Sequence, residues 1–183
     1  MANPREPPLH AYLDTCVVSA VVKSELSMLE QSALASICRA HEKGEVVLSC
    51  SPVVEEEISK IPLSYRTAHA EILRVFSSVP KVAIGGLTQL RPGGVTANPR
   101  RWLWNRLLTV LPDENDVWHL FVAARNRIRH FVTVDQRTIL SRRDAVLKAS
   151  GVDPMLPSEF WALIQSRQPN PPLQGTRDEA ARP

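Results

Sequence analysis

No apolar run in this chain approaches the ~20 residues that a bilayer-spanning helix requires, and no internal repeat is evident. The opening residues, MANPREPPLHAYLD, lack the basic start, apolar middle and small-residue cleavage site of an export signal, so a cytoplasmic protein is expected. Cysteine is scarce: Cys16, Cys38 and Cys50 are odd in number and include neither a CxxC pair nor a histidine-partnered spacing. That argues against a disulfide framework and against a zinc site, and leaves reduced thiols as the expectation. The charge is unevenly distributed along the chain. Between Arg100 and Arg143 only Asp113, Glu114, Asp116 and Asp135 face nine arginines. Arginine suits planar phosphate contact, so this half can hold a polyanion, although any one of these arginines also reads as a solvated surface residue.

What is present is an ordinary globular composition, 44% apolar and 22% charged with a net charge of +3, in 183 residues. That length suits one domain and a tail. A flexible start over 1–8, a folded domain over 9–167 and a disordered proline-rich tail over 168–183 are expected, the tail having too little apolar content to offset its ordering entropy.

Short apolar strands alternate with amphipathic helices. Strands are predicted at Tyr12-Leu13, EVVLSC (45–50), HFVTVD (130–135) and Val152 to Leu156, with KVAI (81–84) a short strand or extended piece. Helices are predicted after Asp14, from Leu26 to Ala40 with a stop at Gly44, from Pro52, over SYRTAHAEILRVFSSV, over RRWLWNRLLTVL, after Asp113, in part of 136–149, and over PSEFWALI. Residues 85–99, rich in glycine and proline, read as a long loop. The pattern implies an α/β fold with a mostly parallel sheet covered on both faces, whose ligand site lies at the carboxyl ends of the strands.

Asp14 and Asp135 each follow a strand directly and would stand at that edge. In the helix from Pro52, Glu57 falls inside the apolar stripe of Val53, Val54, Ile58 and Ile61, whereas Glu55 and Glu56 fall outside it. Asp116 lies at the border of the packed face of its helix, near a start where negative charge is favoured. Each acid has a plainer alternative: Asp14 and Asp135 as helix caps, Asp113 or Asp116 in a cap or capping box, Glu57 as a surface residue. Taken together, four carboxylates repel one another unless a cation joins them. All-oxygen ligands without a histidine–cysteine set point to Mg2+ or Mn2+ and to phosphodiester hydrolysis.

The segments YLDTCVVSA, SPVVEEEI and DENDVWHLFVAARNRIRHFVTVD, in that order, resemble the successive motifs of PIN-domain nucleases, the family that includes VapC toxin ribonucleases. The resemblance runs from about Tyr12 to Trp161. It implies a three-layer α/β/α sandwich with a mostly parallel sheet and a metal-dependent endoribonuclease that cleaves RNA. It further implies an acidic site of Asp14, Glu57, Asp116 and Asp135 holding Mg2+ or Mn2+, with Thr15 and Thr133 supporting it through their hydroxyls. A homodimer, and a small antitoxin protein as partner, are implied as well. Many relatives carry Asn or Ser where this chain has Cys16, a poorer hydrogen-bond former, which places support for the first aspartate in question. Asp113 competes with Asp116 for the third acidic position, and Asp116 fits the spacing to His119, Leu120 and Ala123 better.

His119 reads as a half-buried residue outside the site, and Trp118 and Trp161 as packing residues. Trp102 and Trp104, on either side of Leu103, cannot both face one core, so one is expected at a surface. Two further functions compete: a PIN-like module that binds RNA or protein without cutting, and a phosphohydrolase of the haloacid dehalogenase type. The latter needs an aspartate two residues after Asp14, where Cys16 stands.

Overall fold

The computed structural model describes residues 7–52, 62–63, 74, 77–82 and 101–167. Four strands, β1 (Leu9–Leu13), β2 (Val46–Ser49), β3 (His130–Val132) and β4 (Asp153–Met155), form one all-parallel sheet in the order β2-β1-β3-β4. The helices whose bounds fall among the described residues are α1 (Thr15–Val22), α2 (Met28–Glu42), α3 (Arg101–Val110), α4 (Glu114–Arg125), α5 (Arg143–Ser150) and α6 (Pro157–Arg167). A 3-10 turn, Leu140–Arg142, leads into α5. The helix expected from Pro52, the loop expected over 85–99 and the tail over 168–183 lie outside the described residues, as does most of the helix expected over 64–79. Among the described residues no helix is long and apolar enough to cross a membrane.

Parallel strands need crossovers, and the helices that supply them place their apolar stripes on the sheet. Successive strand side chains point to opposite faces, so one sheet feeds two cores. Ala11, Leu13 and Val132 pack with α1, α2 and α6. Tyr12 and Phe131, the neighbouring positions, pack with α3, α4 and α5, their rings stacked at 5.2 Å. Each such fully buried large side chain contributes about 1.5–3 kcal/mol. The expected glycine stop of α2 is present: Gly44 sits at φ +73, and Glu45 N–H returns to Ala40 O at 2.9 Å.

Trp104 is buried and meets Phe121 edge-on at 5.6 Å, while Trp102 is 54% exposed with the Arg106 guanidinium over its ring. The two tryptophans thus divide between core and surface as their spacing requires.

Beyond β2 the ladder continues through a parallel bridge from Cys50 to Lys81, with Cys50 N–H on Pro80 O at 3.1 Å and Val82 N–H on Cys50 O at 2.8 Å. The expected strand over 81–84 is therefore described only at its start, as an extended piece.

The strand order places the site. From β1 the chain crosses to β2 on one side, whereas β3 leads to β4 on the other, so the order reverses between β1 and β3. At such a switch point the connections diverge and leave a crevice at the carboxyl ends of the two central strands. Leu13 is in register with Val132, so Asp14 and Thr133 emerge side by side.

Candidate acidic site

Asp14 N–H continues the sheet by bonding Val132 O at 3.0 Å. The carboxyl is 4% exposed and stands at the N-cap position of α1, yet it makes no capping hydrogen bond. It turns instead across the sheet. Thr133 Oγ1 donates to Asp14 Oδ2 at 2.7 Å, and Cys16 Sγ donates to the same oxygen at 2.9 Å.

Asp135 arrives by a different route from the one its apolar run suggests. The run Phe131 to Val134 is predicted as strand up to the aspartate, but β3 stops at Val132. Thr133 N–H still bonds Met155 O at 3.0 Å, but the Thr133 hydroxyl accepts Asp135 N–H at 3.1 Å and bends the chain out of the sheet. A side chain taking a backbone amide two residues on competes with the ladder in this way. Asp135 Oδ1 then accepts Arg137 N–H and Thr138 N–H, both at 2.9 Å, which fixes the next turn. Asp135 thus does serve as a local cap, through one of its two oxygens.

Asp113 and Asp116 separate cleanly. Asp113 is the N-cap of α4, accepting Asn115 N–H at 2.7 Å. Asp116, in the first turn, is half-buried and directed to the loop after β3, where Thr138 Oγ1 approaches its Oδ2 at 2.8 Å. The same hydroxyl hydrogen-bonds Asp135 Oδ2. A hydroxyl has one hydrogen, so both contacts are favourable only when one carboxyl is itself protonated. Asp116 is held above the ordinary carboxylate range. Burial, above all, raises its pKa to about 6, and the charges of Asp14, Asp113 and Asp135 push the same way against the lowering effect of the Thr138 hydrogen bond.

A carboxyl whose native pKa is raised favours the fold below its unfolded value, near 4, and loses that contribution as pH climbs through about 6. With chelator present, Asp116→Asn is therefore expected to be more stable than the parent at pH 7, with the gap closing towards pH 4. Solvent screening of a half-buried group holds the gap to about 1–2 kcal/mol. Urea unfolding of both proteins at several pH values measures it, and a gap independent of pH would refute the assignment.

One turn along α4 from Asp116, His119 is buried, and its Nδ1 pairs with the Tyr12 hydroxyl at 2.8 Å. It is more deeply buried than the surface or half-buried place expected of it from the sequence. Tyr12 lies two residues before Asp14 and His119 three after Asp116, so this bond sets the rotation of α4 against β1. Tyr12→Phe leaves a buried ring nitrogen without its partner and should cost about 1–3 kcal/mol in chemical denaturation; an unchanged midpoint would count against this role.

Asp14 and Asp135 thus stand near enough for their charges to act on Asp116, and Thr133 bonds the Asp14 carboxyl and the Asp135 amide. Thr15 opens α1 half-buried, and the bond to Asp14 expected from a residue after β1 comes from Cys16. Glu57 lies outside the described residues. Two contributors escaped the sequence reading: Cys16, discounted as a weak donor, and Thr138, whose signal was its place three residues after a strand-end aspartate.

In donor chemistry the group fits a hard dication: oxygen ligands, mutual repulsion, and an Asp14 Oδ1 with no hydrogen bond among the described residues. In convergence it does not yet close, because among the described residues no three His, Cys, Asp or Glu side chains stand close enough to hold an ion. Compared with protein-family models, the chain matches none, and a comparison with curated proteins likewise finds no match.

Proposed function

We propose that this chain is a PIN-like, Mg2+- or Mn2+-dependent endoribonuclease. Asp14, Asp116 and Asp135, with Glu57 as fourth acid, would hold the ion. The supporting observation is at the β1/β3 switch point, where burial first, and then the charges of Asp14, Asp113 and Asp135, hold the Asp116 carboxyl above its ordinary range, at about 6. An ion bound there supplies an activated water and neutralises charge on a phosphate. The chain's own residues prepare for it. Thr133 and Cys16 occupy Asp14 Oδ2 and leave Oδ1 without a hydrogen bond among the described residues, backbone amides hold Asp135 Oδ1, and Thr138 bridges Asp116 and Asp135. Arg137 and Arg142, exposed on the loop leaving β3, supply positive charge for a polyanionic substrate that the acids alone would repel.

The second reading, a PIN-like module that binds RNA or protein without cutting, is favoured by the lack of three converging ligands among the described residues. Labelled RNA incubated with Mg2+ or Mn2+, and separately with chelator, distinguishes the two. Cleavage that chelator abolishes supports the nuclease; RNA retention without cleavage in either condition supports the binding module. A small antitoxin and a homodimer are the partners the PIN-like reading adds, testable by co-purification and by solution mass.

A further inference from the structure

We infer that Cys16 is a positioning residue, whose thiol fixes the Asp14 carboxyl so that Oδ1 is the oxygen offered to a cation. The inference rests on the proposal that Asp14 is a cation ligand.

Three contacts define the thiol. Sγ lies 2.9 Å from Asp14 Oδ2 and 3.1 Å from Thr133 Oγ1, and it receives Val134 N–H at 3.4 Å. The directions towards Asp14 and Val134 follow from what those partners can do, and the Thr133 contact carries no hydrogen of its own once both hydrogens go to Asp14. An ionised carboxylate only accepts and a backbone N–H only donates, so the sulfur takes the Val134 hydrogen and gives its own to Asp14. Thr133 is committed likewise, giving its single hydrogen to Asp14 Oδ2 and accepting Asp135 N–H. Both donors therefore converge on one oxygen of Asp14. This pins the carboxyl torsion and leaves Oδ1 without a hydrogen bond among the described residues.

The thiol also acts between strands. Cys16 sits in the first turn of α1, directly after β1, and Val134 lies on the exit from β3, 118 residues further along the chain. Holding these together sets the lateral spacing of the two segments that carry Asp14 and Asp135. A serine retains one donor and one acceptor at this position, whereas alanine and valine retain neither, and valine keeps the volume filled.

The test uses the full chain as wild type, Cys16→Ser, Cys16→Ala and Cys16→Val, with circular dichroism and melting to confirm folding. Mn2+ affinity is read by titration calorimetry, and the S–H stretch of Cys16 by Raman difference against Cys16→Ser. Cys16→Ala and Cys16→Val are expected to bind Mn2+ about 10–100-fold more weakly, the usual cost of removing a residue that orients a metal ligand, while Cys16→Ser stays close to wild type. The S–H band of Cys16 is expected to rise in frequency in an Asp14→Asn background, because a neutral acceptor makes the weaker bond. Unchanged Mn2+ affinity in Cys16→Ala and Cys16→Val, beside a wild type that binds, overturns this inference alone. A wild type that binds no Mn2+ overturns both it and the nuclease reading.

Discussion

Asp14→Asn is expected to lower metal-dependent RNA cleavage by more than about 100-fold without unfolding the protein. Residues that merely orient a metal ligand cost about 10–100-fold when removed, and Asp14 is proposed as a ligand itself. Asparagine keeps the shape and retains a carbonyl oxygen that accepts from Thr133 and Cys16, so the packing of a site only 4% exposed survives. What it removes is the negative charge. The same substitution relieves Asp116, whose pKa is raised in part by the charge of Asp14, so the Asp116 carboxyl should titrate lower in the variant. Cleavage assays with wild type and variant at saturating Mn2+ measure the first effect. A variant that cleaves as fast as wild type would remove Asp14 from the mechanism.

Thr133→Val should strike stability and activity together. The threonine is fully buried, and its hydroxyl joins the two strand exits, donating to Asp14 Oδ2 at 2.7 Å and accepting Asp135 N–H at 3.1 Å. Valine matches the branched shape but leaves the carboxylate one donor short and the amide without its acceptor. An orphaned buried group costs about 1–3 kcal/mol, and with Cys16 still donating to Asp14 the loss is about that of one such group. Without the hydroxyl the bond that holds the Asp135 amide beside Asp14 is lost, so cleavage should fall by about 10–100-fold. Urea unfolding and cleavage rates on the same preparation read both effects. Loss of stability with full activity would make Thr133 a structural residue only.

Much of the architecture was legible because it follows from periodicity. The α/β class, the parallel sheet, the α2 stop at Gly44 and the division between Trp102 and Trp104 all follow from the spacing of apolar residues and from backbone chemistry. The strand-end position of Asp14 was legible for the same reason, whereas Asp135, expected directly after its strand, lies three residues beyond the end of β3 at Val132.

The hydrogen-bond network was not. The side chain of Thr133 competes with the ladder and ends β3 earlier than its apolar run suggests, a choice that depends on where Asp135 N–H lies in space. Cys16 reads as a poor donor in isolation. Beside an ionised carboxylate and a backbone amide its direction is forced, and that pairing spans more than a hundred residues. Thr138 gains its role only because α4 delivers Asp116 to the loop after β3. Glu57 lies outside the described residues, so its assignment still rests on helical periodicity and on the resemblance.

The account stands on carboxylates from β1, α4 and the β3 exit sharing one divalent cation. Electron paramagnetic resonance of Mn2+ tests this most directly, since the sharp signal of the free ion disappears on binding. Wild-type protein at neutral pH should quench that signal, and Asp14→Asn and Asp135→Asn should each restore it. A wild type that leaves the signal untouched, or variants that quench it equally well, would contradict the shared site.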